Sequence, residues 1–255
     1  MSFNAYGCWT LLRKEVLRFW RVAGQTVLAP MLTAVLYLLV FRQVMADHVQ
    51  VYEGVSYAAF LIPGLMMMSV IQNTFANTSS SLIQSKINGN LVFLLMTPLS
   101  ALEIFLAFIA AALLRGIVVA AGVYLVARLF MPLPLEAPLV ALATLVLTSV
   151  ALGVFGLVAA VFAEKFEHLA AFQNFLIMPF SFLSGVFYSI HDLPPLWRAL
   201  SHYNPFFYMI DGFRYGFFGV ADAAPLQSLA VVGGFALAAS AFCLWLLGSG
   251  YRLRP

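Results

Sequence analysis

Charge is the scarcest thing in this sequence. Only 9% of its 255 residues are Asp, Glu, Lys or Arg, against 63% apolar. A soluble domain carries about a quarter charged residues, so a soluble globular protein is excluded and an integral membrane protein is expected. The net charge of +3 is too small, and the apolar content too high, for nucleic-acid binding. Cysteine is nearly missing. Cys8 and Cys243 stand at opposite ends with no C-x-x-C and no metal-ligand spacing, and read as two reduced structural thiols. Chemical motifs are missing too. There is no G-x-x-x-x-G-K-[ST], and no Gly is followed by Lys, so the chain has no phosphate loop and cannot hydrolyse ATP alone. There is no H-E-x-x-H and no G-x-S-x-G, and the His and carboxylate residues do not cluster. No catalytic centre, metal or cofactor is expected on this chain. No cleavable signal peptide is visible, because the first apolar run follows a long, charged, aromatic lead-in.

What the chain does have is six apolar runs, which place an all-α membrane domain over residues 1–255. The expected spans are about 26–44, 57–76, 102–130, 139–162, 169–188 and 226–247. Six crossings put both ends on one side. If that side is cytoplasmic, eight Lys/Arg fall inside: Arg13, Lys14, Arg18, Arg21, Lys86, Lys165, Arg252 and Arg254. Four fall outside (Arg42, Arg128, Arg198 and Arg214), and Arg115 is within the membrane. The excess of basic residues on one side predicts cytoplasmic termini. It leaves a short outer loop carrying Asp47, His48 and Glu53.

Residues 8–21 read as an amphipathic helix lying in the membrane interface. Trp9, Leu12, Val16, Phe19 and Trp20 share one arc, with Lys14, Arg18 and Arg21 opposite. Pro63-Gly64 should bend the second span. Its later half is polar, with Ser69, Gln72, Asn73, Thr74 and Asn77, residues that face helices or water rather than lipid. Residues 78–100 begin polar and end in an apolar run, Leu91–Met96, too short to span. This suits a helix on the cytoplasmic surface. In the third span Arg115 sits near mid-membrane, where a charge costs about 2.5 kcal/mol or more. It is either a structural charge bonded to carbonyls or to a carboxylate on another helix, or a contact for an anionic or polar substrate. The structural reading is preferred. Gly116, Ala120, Ala121 and Gly122 thin one side of that helix for close packing. His168, in the short turn after the fourth span, reads as solvated.

The stretch LSGVFYSIHDLPPLWRALSHYNPFFYMIDGFRYGFFG, from Leu183 to Gly219, is too apolar for a solvated loop. Pro194, Pro195 and Pro205 break it too often for one spanning helix. It predicts a re-entrant pair of short helices, around Leu196–Leu200 and Phe206–Phe218, since broken backbone at membrane depth needs protein or a watery cavity around it. Asp211 and Arg214 fall one turn apart on the second piece, so they can pair on one face.

The words L-S-G-V-F-Y-S, L-P-P-x-W, L-S-H-x-N-P and G-F-R-Y-G-F, in this order, carry a resemblance. The chain resembles the permease subunits of bacterial ABC transporters of the ABC-2 type, and more narrowly the YadH-like group, from the N-terminal helix to about Arg252. The resemblance implies an architecture like that of type V exporters: an N-terminal interfacial helix, a coupling helix between spans 2 and 3, and re-entrant helices between spans 5 and 6. It implies two copies of the chain working with two cytoplasmic ABC ATPase subunits, which bind ATP and Mg. On this resemblance residues 78–100 form the coupling segment, matched at Lys86, Gly89, Asn90, Leu91, Leu94, Leu95, Thr97 and Pro98. Asn88-Gly89-Asn90 stands where many relatives carry a charge. Lys14 and Arg18 of the N-terminal helix also reach the ATPase. Residues 189–219 would gate the outer end through Pro194, Pro195, Trp197, Asn204, Pro205, Asp211 and Arg214. In such a dimer the fifth helix lies near the two-fold axis, so Phe172, Phe175 and Met178, with Gln72, Asn73 and Arg115, are candidate cavity-lining residues. The implied activity is export of an amphipathic or hydrophobic substrate (a lipid, a lipid-linked saccharide or a drug) across a Gram-negative inner membrane. Two alternatives stay open. A membrane-embedded lipid enzyme has only the Glu164–His168 turn and the His191-Asp192 pair to draw on, on opposite sides. An ion-coupled transporter or channel usually shows inverted repeats or several mid-membrane charges.

Overall fold

The computed structural model describes residues 3–45, 50–52 and 54–252. Asp47, His48, Glu53 and Arg254 lie outside the described residues, as does the side chain of Arg42. The order begins with α1 (Ala5–Trp20), a π turn (Gly24–Leu28) and α2 (Ala29–Met45), then a small hairpin of β1 (Gln50–Tyr52) and β2 (Val55–Ser56). α3 (Tyr57–Ile87), α4 (Leu91–Met96), α5 (Ala101–Phe130) and α6 (Pro138–Phe162) follow. α7 (Phe166–Phe172), a second π turn (Gln173–Ile177) and α8 (Met178–Phe182) lead to a 3-10 turn (Ile190–Asp192). α9 (Pro195–His202), α10 (Pro205–Phe218) and α11 (Pro225–Ser249) complete the described chain.

Among the described residues, five helical stretches are long and apolar enough to cross a membrane: Gly24–Phe41, Tyr57–Ile87, Ala101–Phe130, Pro138–Phe162 and Pro225–Ser249. The stretch expected as the fifth span, 169–188, differs. It starts earlier, at Phe166, ends at Phe182, and comes in pieces of seven, five and five residues. Both π turns stand just ahead of a proline, Pro30 and Pro179. Proline lacks an N–H and its ring crowds the carbonyl four residues back, here that of Thr26 or Phe175. Both carbonyls lie inside the π turns, where the wider winding makes room and lets the helix continue.

α3 is the centre of the molecule, packed against α2, α5, α6 and α10. Its Phe60, Leu61, Met67, Ile71 and Phe75 are buried. The second span and the polar half of residues 78–100 are one helix, not two segments. Ser, Thr and Asn side chains do not end it because they bond back along it: Thr74 to the Val70 carbonyl at 2.8 Å, Ser80 to Ala76 at 2.5 Å and Ser85 to Ser81 at 3.0 Å. The helix ends where Gly89 takes the left-handed conformation at φ 71°. Pro63 lies inside α3 without ending it.

Gly116 brings α5 close to its neighbours. A Cβ there would stand 2.7 Å from Ser149 Oγ on α6 and 2.9 Å from Thr74 Cγ2 on α3. The small residues of α5 do not share one side, however: Gly116 and Ala120 are buried, while Ala121 is exposed and Gly122 faces Val27 and Met31 at the start of the α2 run.

The two-faced reading of α1 needs correction. The helix runs along α5 and buries Leu11, Glu15 and Phe19, while Trp9 and Trp20 stay exposed. Arg18 belongs to the buried face, because Glu15, Asn77 and Ser80 give it hydrogen-bond partners there. A helix docked on a polar partner buries the charges that partner can satisfy, and helical periodicity alone does not reveal which these are.

Candidate functional site

Asn73, Asn77 and Ser80 recur along one face of α3 at helical spacing. Two arginines reach that face, one from each of two neighbouring helices. From α5, Arg115 donates through Nε and Nη2 to Asn73 Oδ1 at 3.2 and 2.8 Å, and through Nη1 to Asn77 Oδ1 at 3.4 Å. From α1, Arg18 donates to Asn77 Oδ1 at 3.2 Å, to the Asn77 carbonyl at 2.5 Å and to Ser80 Oγ at 3.0 Å. Its Nε lies 3.2 Å from Glu15 Oε2. One amide oxygen thus serves two guanidinium groups. The amide cannot turn over, since its NH2 would then face both cations. Asn77 Nδ2 is buried with no partner. Among the described residues no carboxylate lies within ion-pairing distance of Arg115. The structure gives Arg115 side-chain carbonyl partners rather than an acid.

Arg18 and Arg115 also border an open cavity of about 680 Å³. Gln25, Ser69, Gln72, Asn73 and Ser80 add polar lining, and Tyr37, Leu65, Met68, Met178 and Phe182 apolar lining. Of the expected lining residues, Gln72, Asn73, Arg115 and Met178 come together here. Phe172 and Phe175 do not. Phe172 packs edge-on against Phe155, with ring centroids 6.4 Å apart, and Phe175 is 80% exposed. Arg18 and Ser80, which line the cavity, and Asn77, which joins the two arginines, were not among the expected residues, although the 73-77-80 stripe is legible in the sequence.

At the end of the molecule near Ile87, Lys86 Nζ donates to the carbonyls of Ala160, Val161 and Ala163 at 3.0, 2.7 and 3.0 Å. It caps the last turn of α6, where carbonyls lack partners of their own. Beyond it, α4 buries Leu91 and half-buries Leu94. Phe93 and Met96 are 70% and 77% exposed, and Leu95 37%. Glu103 completes a capping box with Ser100 and also accepts the Asn4 N–H, which ties α1 to the start of α5. A notch of about 270 Å³ lies between α1 and this end of α3, lined by Lys14, Arg18, Gln84, Asn88, Asn90 and Phe93.

At the opposite end, α9 and α10 form the two short helices expected. Asn204 joins them to α8: its Oδ1 accepts the Phe206 N–H at 3.0 Å and its Nδ2 donates to the Phe180 carbonyl at 2.8 Å. Pro195 and Pro205 each open a helix at its first position, where no N–H is needed, and Pro194 precedes α9. Trp197 and Asn204 line a small cavity with Phe180 and Leu183. Asp211 and Arg214 do not pair as expected. Asp211 accepts the backbone N–H groups of Asp222 and Ala223, both at 2.9 Å. Arg214 donates to the Gly185 carbonyl at 2.7 Å and stacks over Phe60, 3.7 Å from the ring centroid. Backbone groups brought in by the loops outcompete the neighbour one turn away. Asp222, which the sequence did not single out, accepts from Tyr52 Oη, Ser189 Oγ and the Ile190 N–H, each at 2.8 Å. Burial pushes the Tyr52 hydroxyl well above its ordinary range, opposed by Arg214 and reinforced by Asp222. It stays protonated and donates.

The family model described as ABC-2 type transporter matches residues 6–218. The chain belongs to that family. It is 37% identical over 241 residues to the inner membrane transport permease YadH of Escherichia coli (strain K12), covering 94% of each protein. It is 24% identical over 212 residues to nodulation protein J of Rhizobium meliloti (strain 1021), covering 83% of this chain and 81% of that one.

Within this ABC-2 permease, the residues expected to couple to an ATPase divide. Lys86, Arg18 and Leu91 are engaged inside the chain, and Leu94 is half-buried. Gly89, Asn90, Leu95, Thr97 and Pro98 are exposed, and Lys14 leans on Glu15 at 3.3 Å with its side chain largely in the open. Val92, Phe93 and Met96 add an outward apolar face that the motif match left out. Leu91 is buried and Leu94 half-buried while Phe93 and Met96 are exposed, a difference that the unbroken apolar run Leu91–Met96 does not announce.

Proposed function

We propose that the chain is the transmembrane subunit of an ATP-driven ABC-2 exporter. Two copies form the translocation unit, and two cytoplasmic ABC ATPase subunits, carrying ATP and Mg, drive it. In this reading the chain crosses the bacterial inner membrane six times, Phe166–Phe182 being the fifth crossing, with both termini in the cytoplasm. The substrate is amphipathic or hydrophobic and moves from the cytoplasm or inner leaflet outward.

The observation that carries the reading is the outward apolar face of α4, held by the Leu91 anchor just beyond the long central helix. An apolar patch on a water-facing end fits a protein partner. The six-residue helix α4 follows α3 after three residues, so a push on α4 is delivered to the helix that packs against α2, α5, α6 and α10. Rigid-body motion of α3 then changes the cavity beside Asn73 and Asn77. α9 and α10, pinned by Asn204, Asp211 and Asp222, close the outer end. The relation to a permease named YadH over nearly the whole chain supports transport, and the missing phosphate loop supports a separate ATPase.

The test is co-purification. The chain, tagged and extracted from bacterial membranes, should bring down an ATPase with a Walker motif in equimolar amount. Recovery of the chain with no such ATPase, under conditions that preserve a dimer, would count against the reading.

A further inference from the structure

We propose that the cavity beside α3 receives the phosphate headgroup of an anionic amphiphile, with Arg115 and Arg18 as its cationic contacts. The proposal rests on the export reading and names the class of molecule that enters.

Charge is the first argument. Arg115 has no acidic partner among the described residues, and Glu15 is shared by Arg18 and Lys14. The remaining bonds of both guanidinium groups go to neutral oxygens. Arg115, half-buried, thus lacks the counter-charge that usually offsets desolvation, and Arg18 shares the one it has with Lys14. A phosphate supplies it, and the guanidinium fork matches phosphate oxygens. A cationic drug would be repelled, and a neutral sugar would leave the charge uncompensated.

Shape is the second. The cavity volume of about 680 Å³ is that of a small-molecule site. Its lining combines the two arginines, Gln25 and Ser80 with Leu65, Met68, Met178 and Phe182. A headgroup and a hydrocarbon chain would each find matching side chains.

Depth is the third. Arg115 lies twelve residues beyond Glu103 on α5, about 18 Å along the helix and roughly half the hydrocarbon thickness of a bilayer. A free ion has no reason to reach that depth. A lipid comes in from the side, past the first span, Gly24–Phe41, whose Leu28, Leu32 and Leu36 are exposed.

The experiment measures binding of dioleoyl phosphatidic acid, dioleoylglycerol and inorganic phosphate to the purified full-length chain in a neutral detergent. Phosphatidic acid should bind at least about tenfold more tightly than dioleoylglycerol, which shares its chains, and millimolar inorganic phosphate should not compete. Arg115→Gln and Arg18→Gln should each weaken binding by about tenfold or more, the range expected for one charged hydrogen-bond partner. Arg115→Lys should keep most of it. Arg128→Gln, which removes an exposed arginine beside Tyr124, should change nothing. Should the Gln variants fold poorly, Thr33→Trp places bulk in the cavity with both arginines intact and should block binding. Equal binding of the two lipids, unchanged binding in correctly folded Arg115→Gln or Thr33→Trp, or phosphate binding as tightly as the lipid would each overturn the proposal. ATP turnover with the partner ATPase in phosphatidylcholine vesicles, measured alongside, separates the two readings. Turnover without phosphatidic acid binding removes the headgroup site and leaves the exporter.

Discussion

Asp211 Oδ1 accepts the backbone N–H of Asp222 at 2.9 Å, so one carboxylate positions the next. The second then gathers Tyr52 from the β hairpin and Ser189 and Ile190 from the loop after α8. Four separate parts of the chain meet at one buried acid: the hairpin, the 183–194 loop, α10 and the link to α11.

Replacing Asp222 with Ala leaves three donors without their acceptor. Hydrogen bonds to a charged group contribute about 1.5–3 kcal/mol each, not additively. Asp222→Ala should therefore destabilise the protein by about 3 kcal/mol or more, and Tyr52→Phe by about 1 kcal/mol. Thermal melting in detergent reads both, and limited proteolysis should find new cuts between α8 and α11 in the Ala variant alone. Equal melting of both variants and wild type would contradict this role.

How much of this was legible beforehand follows from range. α9 and α10 were readable because their signals are local: Pro195 and Pro205 fix the starts, and Asn204 is a cap by residue type. The pairing of Asp211 with Arg214 was also a local inference, and it failed because the true partners are backbone groups from the link before α11. Lys86 was matched as a coupling residue, and nothing in its sequence neighbourhood announces the end of α6 that it caps. Pro30 and Pro179 stand in the sequence, but the π turns that absorb them have no signal there. The cavity was half legible. Its polar face on α3 has a sequence period, whereas the arrival of Arg18 depends on how α1 docks on α5.

Lys86 stabilises α6 from outside. Lys86→Met keeps the length of the side chain and removes the donor to three carbonyls, and should cost about 1–2 kcal/mol. Amide exchange at the C-terminal turn of α6, Ala159–Ala163, should quicken while exchange in the middle of the helix stays unchanged. Unchanged exchange at that turn would show that water caps it equally well.

Orientation can be read with cysteines. Cys243 is buried, and burial followed by Glu103 pushes the Cys8 thiol above its ordinary range, so both react slowly at neutral pH. Against that quiet background, a membrane-impermeant maleimide on intact spheroplasts should label Tyr203→Cys, a position 87% exposed. It should reach Met96→Cys only after the membrane is opened. The reverse pattern would place α4 outside and remove the case for ATPase docking there.

The most direct test of the account is ATP turnover by the chain reconstituted in lipid with its co-purified ATPase, comparing wild type with Phe93→Asp plus Leu95→Asp. Both side chains face outward, so the variant should insert and melt as wild type does. The account predicts loss of ATPase binding and at least a tenfold fall in chain-dependent turnover, about the effect of 1.4 kcal/mol at a docking surface. Unchanged binding and turnover in a correctly inserted variant would contradict it.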